Sequence, residues 1–218
     1  MRVRTIALIT AILFVLAAVA GVINRQSFTD YTADGLVNFK VGLLHDSLVD
    51  STIDYMEEEL SNANYILRVR AGSGMEFLFG STQEPVTVVE VYKGEELQSG
   101  DEIKVTRANS AIFMDDMSVN MGFVNEMQTG DEYLVFLDYL IEADTVKEKN
   151  IYRLSEFIVT PIFSYQEREN VLAVPKSDWD TSVPYTEVEN NEFFAVTQYG
   201  IDRLNELKAK LLEQYPAS

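Results

Sequence analysis

Residues 86–105 read VTVVEVYKGEELQSGDEIKV, and this stretch decides the fold class. Val86, Val88, Val89 and Val91 are β-branched and apolar on both phases of a strand. That pattern belongs to a central strand or to one carrying a bulge. Lys93 to Asp101 is a polar connection holding Gly94 and Gly100. Glu102 to Arg107 then alternates, with Ile103 and Val105 inward and Lys104 and Thr106 outward. Two such runs joined by a glycine-containing polar segment read as a β-hairpin with a longer loop.

More strands are predicted on either side. Upstream, Tyr65, Leu67 and Val69 alternate with Arg68 and Arg70, the mark of a half-buried strand ending at Ala71. Gly72-Ser73-Gly74 is a turn without the lysine and hydroxyl of a phosphate-binding loop, and Glu76 to Phe79 resumes the sheet. Downstream, Tyr133 to Leu137 is apolar on both faces and is expected to be the most buried strand. Ile151 to Leu154 and Phe157 to Phe163 supply further strands, with Pro161 at an edge or bulge. Val171 to Val174 and Phe193 to Val196 read as short pairing segments. Asn109 to Met127, with Met114, Met117, Met121, Met127 and Asp115-Asp116, is irregular. It is either a mobile ligand-receiving loop or, the preferred reading, a crossover packed loosely on the sheet.

Two helices flank these strands. Val49, Ile53, Met56 and Leu60 repeat at helical spacing between Ser47 and Leu60, after two S-x-x-D starts at Ser47 and Ser51. Glu57, Glu58 and Glu59 crowd the end where the macrodipole disfavours acids. A second helix from about Gln198 to Tyr215 carries the stripe Ile201, Leu204, Leu207, Leu211 and Tyr215, with Glu206 and Lys210 as a supporting pair.

The N-terminus has a different character. Thr5 to Ile23 is a run of 19 uncharged residues behind Arg2 and Arg4. At about 1.5 Å per residue it nearly matches a hydrocarbon core of roughly 30 Å. Basic residues stay on the cytoplasmic side, so the remainder faces out. Ala18-Val19-Ala20 also suits signal-peptide cleavage near Ala20 and secretion. The chain thus divides into an anchor or signal segment over 1–24, a stalk packed on the domain over 25–46, and an extracytoplasmic domain over 47–218. The fold class expected is α+β: an N-terminal transmembrane helix, then a small antiparallel β-barrel with flanking helices.

Composition excludes several chemistries. There is no cysteine, hence no disulfide framework, thiol nucleophile or thiolate-bound metal. The net charge is −18, and with Arg2 and Arg4 set aside 35 acids face 15 bases, a net of −20. Such a field repels nucleic acid and attracts cations or basic polymers. No G-x-S-x-G, S-x-x-K or H-E-x-x-H occurs. The single histidine, His45, sits just before the first helix and reads as a surface or capping residue. Carboxylate neighbours follow from composition alone and assign no acid/base pair.

One ligand spacing stands out. Asp178, Asp180, Ser182, Thr186 and Glu189 fall at offsets 1, 3, 5, 9 and 12 of an EF-hand-like loop, the oxygen pattern that wraps calcium. Val183 stands where the turn glycine belongs, Pro184 follows, and an acidic surface loop around Trp179 is the competing reading. The late aromatics Phe163, Tyr165, Trp179, Tyr185, Phe193 and Phe194 would make a platform for sugar rings or peptides if exposed, and a core with the C-terminal helix if not.

The order of SNANYILRVRA (61–71), VTVVEVYKGEELQSGDEIKV and GDEYLVFL (130–137) resembles small extracytoplasmic bacterial β-barrel domains related to the OB-fold and the netrin (TIMP-like) module. In those, a strand ending in a Lys-Gly turn leads to a Gly-Asp step, and a later Gly-x-x-Tyr-Leu segment supplies a central strand. Lys93-Gly94, Gly100-Asp101 and Gly130 to Leu137 carry the resemblance, over roughly residues 47 to 160. TIMP-like inhibitors hold a protease metal through an N-terminal cysteine, which this chain lacks, so that mechanism does not transfer. OB-folds bind oligonucleotides or oligosaccharides on one face, and the acidic charge argues against the former.

The function expected is a non-enzymatic, membrane-anchored extracytoplasmic module that binds an envelope protein or wall polymer. No cofactor is required and no nucleic acid is bound. A carboxylate-based glycan hydrolase and a calcium-responsive module are the alternatives.

Overall fold

The structure is a computed structural model describing residues 3–26, 35–78, 81–107, 110–113, 115–142, 150–176 and 181–217, with side chains described for 10–22 and 35–77 of the first two stretches. The chain forms an α+β fold in two compact units, Met1–Asn38 and Phe39–Ser218. Phe79, Asn109, Met114 and Trp179, named above, lie outside the described residues.

The first unit contains helix α1, Val3–Gln26, which continues the whole apolar run in one element. The side chains described in it are all exposed, Phe14 at 74%. Among the described residues no helix is long and apolar enough to cross a membrane. The expected helix is therefore present, and its expected membrane span is not shown by it.

The second unit is built on a five-stranded barrel. Its strands are β2 (Tyr65–Ala71), β4 (Ser81–Lys93), β5 (Glu102–Arg107), β8 (Glu132–Leu140) and β9 (Ile151–Leu154). β2 pairs antiparallel with β4 and with β8, β4 pairs antiparallel with β5, and β8 pairs antiparallel with β9. β5 closes the ring by pairing with β9 in parallel, Lys104 opposite Ile151. The barrel is thus mixed, not antiparallel as the sequence pattern predicts. Hairpin reading sees only neighbours in sequence, whereas this closure joins strands separated by a long crossover, as a parallel pair requires. Register shifts between Ile66 and Leu67 and between Arg68 and Val69 mark the irregular pairing of β2 with β4. The long β4 lies between β2 and β5, the central position that its valines predict.

Leu134, Val135, Phe136 and Leu137 on β8 are completely buried, as two apolar phases require. Beside the barrel, β3 (Glu76–Leu78) folds back on β4, and β10 (Ile162–Ser164) pairs with β8. The strand expected over 157–163 is shorter and later. In its place, residues 155–161 run irregularly, and the Pro161 carbonyl accepts from Phe136 N.

A separate four-stranded sheet has the order β11 (Ser182–Pro184), β1 (Lys40–Gly42), β7 (Ser118–Asn120) and β6 (Ala111–Phe113). Val41, Val119 and Val183 point inward and are buried. The described part of the crossover from β7 to β8 is packed down, with Met121, Val124 and Met127 buried. Val171 to Val174 and Phe193 to Val196 form no strands. Asn191 holds Val171 at both its N–H and its carbonyl, and single bridges join Phe193 to Val124 and Ala195 to Leu44. Side-chain amides here replace the ladder partner that a strand would need.

Helix α2 (Asp46–Glu59) buries Val49, Ile53 and Met56, with Leu60 buried just beyond it. Its cap is His45, whose Nδ1 accepts from Ser47 N at 3.2 Å, and not either serine of the S-x-x-D pattern. Helix α3 (Gln198–Gln214) starts at Thr197, whose hydroxyl accepts from Gly200 N at 3.3 Å. The helices are laced by Arg203 to Asp50 and Asp54, Thr197 to Asp46, and Lys210 to Glu57 at 2.7 Å. Glu57 is thus matched by a lysine of α3, which offsets its unfavourable place at the end of α2. Lys210 takes that partner instead of Glu206, which pairs with Arg203. One apolar core runs from the barrel through both helices.

Candidate functional site

One opening on the barrel lies across β4 and β5, with a cavity volume of about 460 Å3. Its walls come from Pro85, Val86 and Thr87 on β4, Glu102, Ile103 and Lys104 on β5, and the turn Gly72-Ser73 after β2. Residues of β4 and β5 face each other in register here, Pro85 with Lys104 and Thr87 with Glu102. Period-two alternation turns Pro85, Thr87, Glu102 and Lys104 outward while Val86, Ile103 and Val105 are buried. Gly72 closes one end by donating its N–H to the Pro85 carbonyl at 2.8 Å. A Cβ at that position would lie 2.8 Å from the same oxygen, so the backbone approach requires glycine. Lys104 Nζ pairs with Glu76 at 3.0 Å, tying β3 to the rim.

A second groove, about 440 Å3, lies on the outer face of the four-stranded sheet. Gly42, Ser118, Asn120 and Ser182 make its floor, while Phe113, Phe123, His45 and Leu48 rise around it. Asp116 stands at its rim and accepts from the Ser118 hydroxyl at 2.6 Å. Met117 and Phe123 hold left-handed backbone at φ 53° and 59°, conformations that non-glycine residues adopt rarely.

Charged residues are also gathered inside the domain. Arg107, in the inward phase of Ile103 and Val105, donates from Nε to Glu84 at 3.0 Å. Its Nη atoms donate to the carbonyls of Met121, Val124 and Asn125 at 2.7 to 3.0 Å. Glu84 also accepts from Met127 N at 2.7 Å. The pair therefore fixes the crossover against the barrel with every contact charge-assisted. Glu126 is next to it: burial pushes its carboxyl above the ordinary range, and nearby Glu84 adds to the shift. Glu192 is likewise raised by burial, although Lys208 at 2.5 Å and Ser164 N oppose the shift. Glu126 and Glu192 share only a cavity of about 10 Å3, the space of a single water at most.

On the barrel's outside, Glu132 accepts from Arg68 Nε at 2.7 Å and Arg70 at 2.6 Å. Burial would raise the Glu132 carboxyl, but the two guanidinium groups outweigh it and hold the carboxyl below its ordinary value. Arg68 also stacks over Tyr165 at 5.4 Å.

Of the calcium candidates, Asp178 and Asp180 lie outside the described residues. Ser182 belongs to β11, Thr186 to a turn of 3-10 helix over Tyr185–Glu187, and Glu189 is exposed beyond it. Among the described residues, no three His, Asp or Glu side chains gather as metal ligands. Phe163, Phe193, Phe194 and Tyr185 are buried and Tyr165 is half-buried, so the described late aromatics serve the core and form no platform. Exposed aromatics occur elsewhere, at Phe113, Tyr55, Tyr139 and Tyr199.

Each open cleft carries one carboxylate among its described lining residues, Glu102 in the first and Asp116 in the second. Glycoside hydrolysis needs two carboxyl groups flanking one bond. Of the carboxyls raised by burial, Glu192 pairs with Lys208, and both Glu126 and Glu192 line the cavity of about 10 Å3. Among known proteins, the chain matches no protein-family model and no curated protein.

Proposed function

We propose that this protein is a non-enzymatic binding module of the cell envelope, tethered by α1 and displaying an OB-like barrel outside the cytoplasmic membrane. The open β4–β5 cleft carries this reading. A small five-stranded barrel supports a likeness to the OB fold, whose binding face lies on its second and third strands. In this barrel those are β4 and β5, and the first inter-strand connection, at Gly72-Ser73, walls the same cleft.

The occupant best suited to the cleft is a segment of another envelope protein. Pro85 offers apolar surface, Glu102 is exposed beside the Lys104–Glu76 pair, and the net charge of −18 opposes nucleic acid. The tether rests on the uncharged run behind Arg2 and Arg4 and on the exposed apolar side chains of α1, which water solvates poorly. A single carboxylate in the cleft favours binding over glycan hydrolysis.

A photo-crosslinking amino acid at Thr87 or Glu102 in intact cells tests the reading. One discrete adduct is expected at both positions and none at Glu58 on α2. Equal adducts at all three positions, or none at Thr87 and Glu102, would count against it.

A further inference from the structure

We propose that the groove on the four-stranded sheet is a second binding site, for a neutral saccharide whose ring lies on Phe113. It is separate from the barrel cleft and does not depend on the reading given for that cleft.

The floor of the groove is polar and narrow in relief. Alternation along the short strands places Gly42, Ser118, Asn120 and Ser182 on the outer face, while Val41, Val119 and Val183 fill the core side. None of the four floor residues is bulky, so a flat ring can rest on them. Phe113 is 53% exposed and lines the groove beside these polar residues. Aromatic faces stack on the apolar C–H face of a sugar while hydroxyls reach the polar groups around it.

The hydrogen-bonding groups are of the type that hydroxyls need. Asn120 Oδ1 accepts from Gly122 N at 2.9 Å, so its amide NH2 is the group left to donate. Asp116 uses Oδ1 for Ser118 and presents Oδ2 as an acceptor. His45 Nδ1 accepts from Ser47 N, which leaves Nε2 as the ring's donor. Donors and an acceptor thus surround one space of about 440 Å3, within the roughly 300–1,000 Å3 of small-molecule sites.

Polarity narrows the ligand class. The described lining residues include no lysine or arginine and one carboxylate, Asp116, while alternation turns Lys40, in register with Ser118, to the same face of the sheet. A purely apolar ligand would strip water from Asp116, Asn120 and Ser118 without replacing its hydrogen bonds. A hydroxyl-rich ring with one apolar face replaces them. The left-handed backbone at Met117 and Phe123 holds the walls in a shape that ordinary turns would not give.

The test uses the full chain purified in detergent micelles with chitotetraose, cellotetraose and maltotetraose, read by saturation-transfer NMR and titration calorimetry. At least one of the three is expected to bind at millimolar concentration. Phe113→Ala should weaken that binding about tenfold at unchanged Tm, and Phe113→Trp should keep it. Gly42→Leu, which puts a side chain on the floor where a Cβ finds only Phe123 at 3.8 Å, should abolish it. A Thr87→Trp change in the barrel cleft should leave it unaffected. No binding of any of the three sugars would overturn the proposal. So would binding indifferent to both Phe113→Ala and Gly42→Leu, binding lost with Thr87→Trp alone, or Phe113-dependent binding of a lysine-rich peptide without sugar binding.

Discussion

Arg107 and Glu84 form an ion pair inside the domain, Nε to Oε2 at 3.0 Å, with side chains 1% and 3% exposed. Three backbone carbonyls complete the guanidinium and Met127 N completes the carboxylate. Removing one partner leaves the other charge buried and uncompensated, which costs about 3–5 kcal/mol. Arg107→Met is therefore expected to lower unfolding free energy by that order in denaturant titration. The double variant Glu84→Leu, Arg107→Met should recover part of the loss. A double variant as damaged as the sum of the single ones would show that the two residues act separately.

The Lys93-Gly94 turn has a steric reason to hold glycine. Gly94 sits at φ 113°, and a Cβ there would run into the Tyr65 ring. Gly100 sits at φ 95° with open space around it. Gly94→Ala should thus cost clearly more than Gly100→Ala, which bears only the left-handed backbone penalty of about 1–2 kcal/mol. Thermal melts of the two variants give the comparison. An equal loss would assign the whole effect to backbone strain.

Glu126 makes stability depend on pH in a definite direction. Burial and Glu84 raise its carboxyl in the folded state, so the folded state holds the proton more tightly than the unfolded chain does. Stability from this group therefore falls as pH rises from the ordinary glutamate range through the raised value. Glu126→Gln should raise Tm at neutral pH and leave it nearly unchanged at low pH, where wild-type Glu126 is already neutral. A lower Tm at neutral pH would show that the charged form is stabilised in place.

Glu132 works in the opposite sense. Arg68 and Arg70 outweigh its burial and hold its carboxyl low, so its contribution is present above the ordinary glutamate range and is lost as pH falls through the depressed value. Glu132→Gln should lower Tm at neutral pH, and the difference from wild type should vanish on the acid side. An undiminished difference in acid would point to packing instead of charge.

Much of this architecture could be read in the sequence because it rests on period. The hairpin of residues 86–105 and the two helix stripes show the repeat that burial imposes, and Tyr133 to Leu137 shows the unbroken apolar run of a strand buried on both faces. The parallel closure of β5 on β9 could not be read, since no local pattern encodes which distant strand completes a ring. The Arg107–Glu84 pair had a faint signal. Arg107 keeps the phase of Ile103 and Val105, and Glu84 keeps that of Val86 and Val88, so both were due to point inward. Their charge made an outward reading natural. The two open clefts had no sequence signal at all. They are assembled from outward residues of ordinary type, such as Thr87, Ser118 and Gly42, whose meaning comes only from their neighbours in space.

The absence of cysteine offers a direct test of an extracytoplasmic barrel with a covered β4–β5 face. A single cysteine introduced at Thr87, or at Glu58 on α2, is labelled in intact cells with a membrane-impermeant maleimide. Both positions are expected to react without permeabilisation, Thr87 more slowly than Glu58 in cells but at a comparable rate in the purified protein. Labelling that appears only after the membrane is broken would contradict the account.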